Sequence, residues 1–279
     1  MNEQQTHTLT LRDNTSLHII QQPAPATTAT PRPVPILLVH GFSEHSGRYE
    51  NFMQFLAEQG FAVWIYDARG HGQSEGKRGT IPDDDALVAD LREVYTFIRA
   101  QCAQDSIVIG HSMGGLTVAL ATVRGWIKPA AVVLLSPALR LDLSGWERQQ
   151  IMLGTQLLPN LTRRAPMATK RTSRDPAALA SADDDPLMHG RISPRLAAFL
   201  ATGGEEVIAN ASEFSMPVLL LYAADDKVVD ASGSVELGTC LPEGCQARAY
   251  SHAYHELLHE PEEALADILQ QLLDWLNSL

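Results

Sequence analysis

Nowhere in this chain of 279 residues do about 18 consecutive apolar residues occur, so no helix is expected to cross a bilayer. The opening stretch, Met1 to Ser16, lacks the basic-then-apolar order of a secretory signal, and a cytoplasmic location is expected. Positive charge is scarce: 21 Lys and Arg face 33 Asp and Glu, a formal net charge of −12. Such a chain repels nucleic acid and anionic surfaces as a whole, so nucleic acid is not an expected partner. Cysteine is scarcer still. Cys102, Cys240 and Cys245 cannot all pair with one another, and the last two do not have the C-x-x-C spacing of redox or zinc motifs, so free thiols are expected. Internal repeats and low-complexity segments are absent as well.

What the chain does have is enough apolar sequence, 45% against 19% charged, to fill a sizeable core. Two short alternating runs, residues 7 to 11 and 15 to 21, flank the turn pair Asp13-Asn14 and read as an antiparallel hairpin. Residues 23 to 35, rich in Pro and Thr, read as an irregular connector. Five apolar or β-branched runs follow: Ile36–Val39, Phe61–Tyr66, Ile107–Ile109, Ala131–Leu135 and Val218–Tyr222. Helix-compatible sequence separates most of them. Continuous apolar strands alternating with helices imply a parallel sheet covered on both faces, and the fold class is α/β. Between about Ser136 and Phe214 the alternation stops and helical stretches take over. This divides the chain into a core of residues 1–136 and 214–279 and a helical cap, or lid, of residues 137–213.

The run Ile107-Val108-Ile109 leads into Gly110-His111-Ser112-Met113-Gly114, a G-x-S-x-G, and then into a helical pattern. A sharp turn between strand and helix lifts a serine hydroxyl above the sheet, and the flanking glycines let backbone approach closely. The helix start adds unpaired N–H groups and a positive dipole end. Ser112 is therefore the candidate nucleophile. A serine hydroxyl needs an imidazole to take its proton and a carboxylate to orient that imidazole, and in this arrangement they follow in the order acid, then His. The strand Val218–Tyr222 ends at Asp225-Asp226, where the acid belongs; Asp226 is preferred and Asp225 is the fallback. After the strand-like run Gln246–Tyr250 come His252 and His255, either of which can be the base.

The same stretch carries a competing motif. His255-Glu256-Leu257-Leu258-His259 is an H-E-x-x-H, which on a helix binds zinc and gives a metallopeptidase. Against it, Pro261 interrupts the helix the motif requires, and the sequence offers no clear third ligand. No metal or organic cofactor is expected. A catalytically silent binding module is the remaining reading outside serine chemistry, and it fits poorly with three triad members in the proper order.

Four stretches together resemble the monoacylglycerol lipase and lysophospholipase-like branch of the α/β hydrolases: His40 to Tyr49, Asp67 to Ser74, Gly110 to Gly115, and His255 to Glu260. Asp184-Asp185-Pro186-Leu187 in the insertion is also similar. The resemblance implies the α/β-hydrolase fold, with a mostly parallel eight-stranded sheet, helices on both faces and a helical cap inserted after strand 6. It also implies Asp226 as acid and His255 as base, leaving His252 and His259 as bystanders, and an oxyanion hole from the backbone N–H groups of Phe42 and Met113. Two positions depart from the family: Ser43 and Ala223 stand where it usually has glycine.

The expected activity is hydrolysis of lipid-like carboxylic esters, monoacylglycerols or lysophospholipids, through an acyl-enzyme. Short acyl esters, acyl transfer and peptide hydrolysis are rivals on the same triad. The small-molecule lipid or ester is the expected partner. Trp146, Ile151, Met152, Leu153, Leu157 and Leu158 have near-helical spacing, and the first four are candidate substrate-binding residues walling an acyl tunnel. An apolar cap tip would also allow transient contact with a membrane surface. The loop Asp67–Ser74 is read as structural support, His40 and His45 as organisers of the oxyanion loop, and Asp83-Asp84-Asp85 as the start of a helix.

Overall fold

The computed structural model describes residues 3–25, 32, 34–165 and 172–279. Most of the connector expected over residues 23–35 thus falls outside the described residues. The hairpin forms as β1 (Gln5–Thr10) and β2 (Ser16–Gln22), antiparallel, with Asn14 at a positive φ in the turn. The apolar runs become β3 (Ile36–Val39), β4 (Val63–Tyr66), β5 (Ile107–His111) and β6 (Ala131–Leu135), each buried along its whole length. Beyond the insertion lie β9 (Val218–Ala223) and β10 (Gln246–Tyr250). All eight make one sheet in the order β1-β2-β4-β3-β5-β6-β9-β10, antiparallel as far as the β2–β4 pair and parallel from there on.

Burial on both faces follows from the period-two alternation of strands. Leu37, Val108, Val132 and Val218 stand in register across β3, β5, β6 and β9 and pack into one core. Their neighbours Leu38, Ile109, Val133 and Leu219 point the other way into a second. The first core is covered by α2 (Ala86–Cys102), α3 (Met113–Val123), α6 (Pro194–Ala209) and α7 (Ser232–Cys240). The second is covered by α1 (Glu50–Glu58) and the C-terminal α8 (Glu262–Ser278). In α8, Ile268, Leu272, Trp275 and Leu276 repeat at helical spacing and are all buried. At about 1.5–3 kcal/mol for each fully buried large apolar side chain, the two cores carry the bulk of the folding drive.

Between β6 and β9 the chain forms α4 (Gly145–Leu157), α5 (Pro176–Asp184) and α6. Each helix starts on a side-chain cap, Ser144, Asp175 and Ser193 respectively, and the first is a reciprocal capping box with Glu147. The sequence suggested no strand here, yet β7 (Arg163–Arg164) and β8 (Arg191–Ile192) pair as a two-residue antiparallel ladder. Segments so short carry no readable alternation. Asp85 stands at the N-cap position of α2, where the acidic run was expected to begin a helix, but its side chain makes no capping bond. Cys102, Cys240 and Cys245 are free.

Candidate active site

The turn from β5 into α3 places Ser112 at φ 52°, ψ −117°, a region that non-glycine residues avoid. Close packing holds it there. The Ser112 N–H donates to Leu135 O at 3.0 Å, and its carbonyl accepts from Leu116 and Ala138, each at 3.0 Å. Gly114 is indispensable to this approach: a Cβ there would lie 2.1 Å from Val39 O and 2.5 Å from His40 O. The start of α3 therefore sits directly against the end of β3 and the loop that follows it.

His255 Nε2 lies 2.8 Å from Ser112 Oγ, and His255 Nδ1 lies 2.7 Å from Asp226 Oδ2. Asp226 accepts through its other oxygen from the N–H groups of Val228 at 2.8 Å and Val229 at 3.0 Å. Both ends of the carboxylate are thereby fixed, and the His255 tautomer with the proton on Nδ1 is favoured. Burial of the His255 ring disfavours its protonation, but the Asp226 carboxylate outweighs burial, and the pKa is raised above the ordinary value. For Asp226 burial acts upward and is overcome by His255 and the two N–H donors, so its pKa is lowered. Of the alternatives left open by the sequence, Asp225 is exposed and bridges to Lys227, and His252 is exposed.

The loop after β3 reaches Ser112 from the other side. A Cβ at Gly41 would come within 3.2 Å of Ser112 Cβ and 2.6 Å of Glu44 Oε2, so backbone alone fits there. Phe42 follows at the cavity wall, and Met113 is the first residue of α3, where the helix offers no acceptor for its N–H.

Sequence reasoning passed over the residue that ties these loops together. Glu44, 2% exposed, accepts through Oε2 from Gly41 N–H at 2.7 Å and from Tyr49 hydroxyl at 2.9 Å, and contacts His111 Nδ1 at 3.0 Å. The far nitrogen of His111 reaches the His255 carbonyl oxygen at 3.3 Å. Burial raises the Glu44 pKa, but His111 and Arg48 overcome it, and the carboxyl is held well below its ordinary range. One carboxylate thus contacts the loop after β3, the residue before Ser112 and, through His111, the loop of His255. A lone acid in a loop gives no sign of this, because its partners come from three separate segments.

The loop Asp67–Ser74 braces the same region. Asp67 accepts from Ser46 N–H at 2.6 Å and Gln73 N–H at 2.7 Å, while His40 Nε2 accepts from Ala68 N–H at 2.9 Å.

The H-E-x-x-H residues do not share an α-helix: Leu257–His259 is a single 3-10 turn, and α8 begins only after Pro261. Both ring nitrogens of His255 are occupied, by Asp226 and Ser112. Glu256 and His259 do approach Glu44 within metal-ligand reach, the one such group among the described residues. The Arg48 guanidinium lies 2.7 Å from Glu256 Oε2 and 3.5 Å from Glu44 Oε1, so a cationic side chain already serves both carboxylates.

Ser112 and His255 open into a cavity of about 460 Å³ whose walls include Leu141, Leu143, Ile151, Met188, Leu200 and Val229. Of the four candidate substrate-binding residues only Ile151 lies on this wall. Trp146, Met152 and Leu153 are 68%, 44% and 56% exposed and do not line it. The correction has a simple cause: α4 turns one face inward, and near-helical spacing in the sequence could not show that its apolar residues spread beyond that face.

Residues 31–262 match the sequence profile of the family described as serine aminopeptidase, S33. A monoacylglycerol lipase of Mycolicibacterium smegmatis is 30% identical over 253 residues, covering 87% of this chain and 88% of its own. An uncharacterised abhydrolase domain-containing protein of Dictyostelium discoideum is 30% identical over 90% of this chain, which spans 27% of that longer protein. The crystal structure of a monoacylglycerol lipase from Paleococcus ferrophilus superposes with a TM-score of 0.84 at 29% identity, covering 94% of this chain and 98% of the other.

Proposed function

Because the chain belongs to the serine aminopeptidase S33 family of α/β hydrolases and has monoacylglycerol lipases among its relatives, we propose that it hydrolyses monoacylglycerol-like lipid esters through Ser112, His255 and Asp226. The observation that carries this reading is the unbroken hydrogen-bonded line from Asp226 through His255 to Ser112 Oγ, opening into a cavity whose walls combine apolar side chains such as Leu141, Leu143, Ile151, Leu200 and Val229 with charged ones.

His255 takes the Ser112 proton as Oγ attacks the ester carbonyl, and Asp226 stabilises the imidazolium that forms. The negative oxygen is held by the N–H groups of Phe42 and Met113, aided by the dipole of α3. Collapse of the intermediate expels the alcohol, which leaves with the proton from His255. Water, deprotonated by His255, then releases the fatty acid and restores the serine. The insertion of residues 137–213 acts as the cap that shelters this step from bulk water, with Ile151 on the acyl wall.

Six large apolar side chains are exposed between residues 146 and 161: Trp146, Met152, Leu153, Leu157, Leu158 and Leu161. With Arg163 and Arg164 following on the exposed β7, this face suits transient contact with a lipid surface, from which the substrate is collected.

The test is a substrate panel of monoacylglycerols, lysophospholipids, short p-nitrophenyl esters and aminoacyl peptides, each given with a chelator and, for the lipids, both dispersed and in vesicles. Monoacylglycerol turnover that survives chelation, exceeds that of the peptides and rises on vesicles, with protein sedimenting beside them, is the expected result. Preferred cleavage of peptides would overturn the ester reading, and indifference to vesicles would remove the docking face.

The raised pKa of His255 sets a pH dependence. A base works only when unprotonated, so the acid limb of kcat/KM is expected to have its midpoint above about 6.5, the ordinary histidine value. Asp226→Asn removes the carboxylate that raises it, so the midpoint should fall while kcat drops by about ten thousandfold. A limb that stays in place would detach Asp226 from the base.

A further inference from the structure

The loop that supplies the Phe42 N–H has two sides. The core holds one: Gly41 through Glu44, and Ser46 through Asp67. The insertion holds the other. Ser43 Oγ donates to the backbone carbonyl of His189, and the His189 N–H in turn faces Ser43 Oγ at 3.1 Å and Ser43 O at 3.3 Å. Two residues further on, His45 Nδ1 accepts from Gly47 N–H at 3.2 Å, which leaves its Nε2 proton to donate to Asp185 Oδ2 at 2.8 Å. Asp185 is itself aligned by accepting from Leu187 N–H at 2.8 Å. The His189 ring also meets Phe42 edge to face, with centroids 5.8 Å apart at 87°.

The backbone at Ser43 bears on these contacts. Its φ is +72°, the left-handed region that costs a non-glycine residue about 1–2 kcal/mol. This chain places serine there and uses its hydroxyl, which glycine would lack, to reach the insertion.

We propose that the segment Asp185–His189 of the insertion holds the oxyanion loop in its donating conformation, with Ser43 and Asp185 as the positioning residues for the Phe42 N–H. The proposal rests on the assignment of Phe42 and Met113 as oxyanion donors. It couples two events: the insertion must be seated over the cavity for the hole to be complete, so enclosure of the substrate and stabilisation of its oxyanion arrive together.

The test uses an alkyl trifluoromethyl ketone and its non-fluorinated methyl ketone counterpart. With the first, a bond forms between Ser112 Oγ and the ketone carbon, the serine proton passes to His255, and the carbonyl electron pair becomes an oxyanion in the hole. The second occupies the cavity with little addition. Ser43→Gly and Asp185→Ala are expected to bind the fluorinated ketone about ten- to a hundredfold more weakly and to lose a similar factor in kcat, with KM, methyl ketone affinity and Tm near wild type. Asp185→Asn keeps an oxygen to accept from His45 and should recover most of what Asp185→Ala loses. Capture of the fluorinated ketone by Ser43→Gly and Asp185→Ala as well as by wild type would overturn the proposal, as would equal losses for both ketones. Failure of wild type itself to capture it would instead overturn the triad reading, and this proposal with it.

Discussion

Replacing Ser112 with alanine is expected to lower ester turnover by about a millionfold in kcat, with KM little changed. In the proposed mechanism the oxygen removed is the atom that bonds to substrate, and His255 cannot replace it, because its Nδ1 is committed to Asp226 at 2.7 Å. The small residual rate would come from binding and from the oxyanion donors, which the substitution leaves in place. Stability should hold or rise slightly, since alanine loses no packing of note and the strained φ of 52° at residue 112 remains as it was. A fluorophosphonate should label wild type on the peptide containing Ser112 and leave the alanine variant unlabelled. Turnover that persists in the alanine variant would remove the nucleophile and with it the proposed mechanism.

The second large effect is expected at a residue that never touches the substrate's reacting atoms. Glu44→Ala should cost about 3–5 kcal/mol of folding stability, the usual range for breaking a buried ion pair and stranding its partner. Gly41 N–H, Tyr49 hydroxyl and His111 lose their common acceptor, and Arg48 loses one of its two carboxylates. Activity should fall further than stability explains. With Gly41 released, the donor at Phe42 drifts, and one misplaced oxyanion donor is worth about a hundred- to a thousandfold in kcat. Glu44→Gln should fall between, because an amide oxygen still accepts while the charge opposite Arg48 is gone. Denaturant unfolding and steady-state kinetics on the two variants check both parts. A Glu44→Ala enzyme with wild-type kcat would show that the loop keeps its shape without the carboxylate.

The sheet was legible in the sequence because its strands are buried on both faces and therefore read as unbroken apolar runs; Ile36–Val39 and Ala131–Leu135 keep the bounds expected of them. The sharp turn from β5 into α3 was legible for a local reason, since Gly110, Ser112 and Gly114 are neighbours in the chain. Choosing Asp226 over Asp225 was different. Adjacent carboxylates share composition and spacing, and resemblance to a family supplied what the residues alone left open. Least legible were the contacts between distant segments. Glu44 with His111, and Ser43 with His189, join residues 67 and 146 positions apart, and nothing local marks either member. The face of α4 was misread for a related reason: periodicity reports which residues share a stripe, whereas burial depends on what the rest of the chain lays against it.

The strands that bracket the insertion are neighbours, β6 and β9, with Leu135 opposite Leu221. The two strands run parallel, so the chain leaves from the end of β6 and crosses back by way of α6 to the start of β9, and lengthening the loops ahead of that crossover adds little closure entropy, about 0.6 kcal/mol for each doubling. In evolutionary terms the stretch ahead of α6 is the replaceable part, because Leu196, Phe199, Leu200 and Val207 of α6 belong to the first core and stay with the strands they cover. Descent is constrained at one place. Under the proposed coupling, any replacement must bring its own counterpart of Asp185 and His189, or the loop after β3 loses its contacts to the insertion.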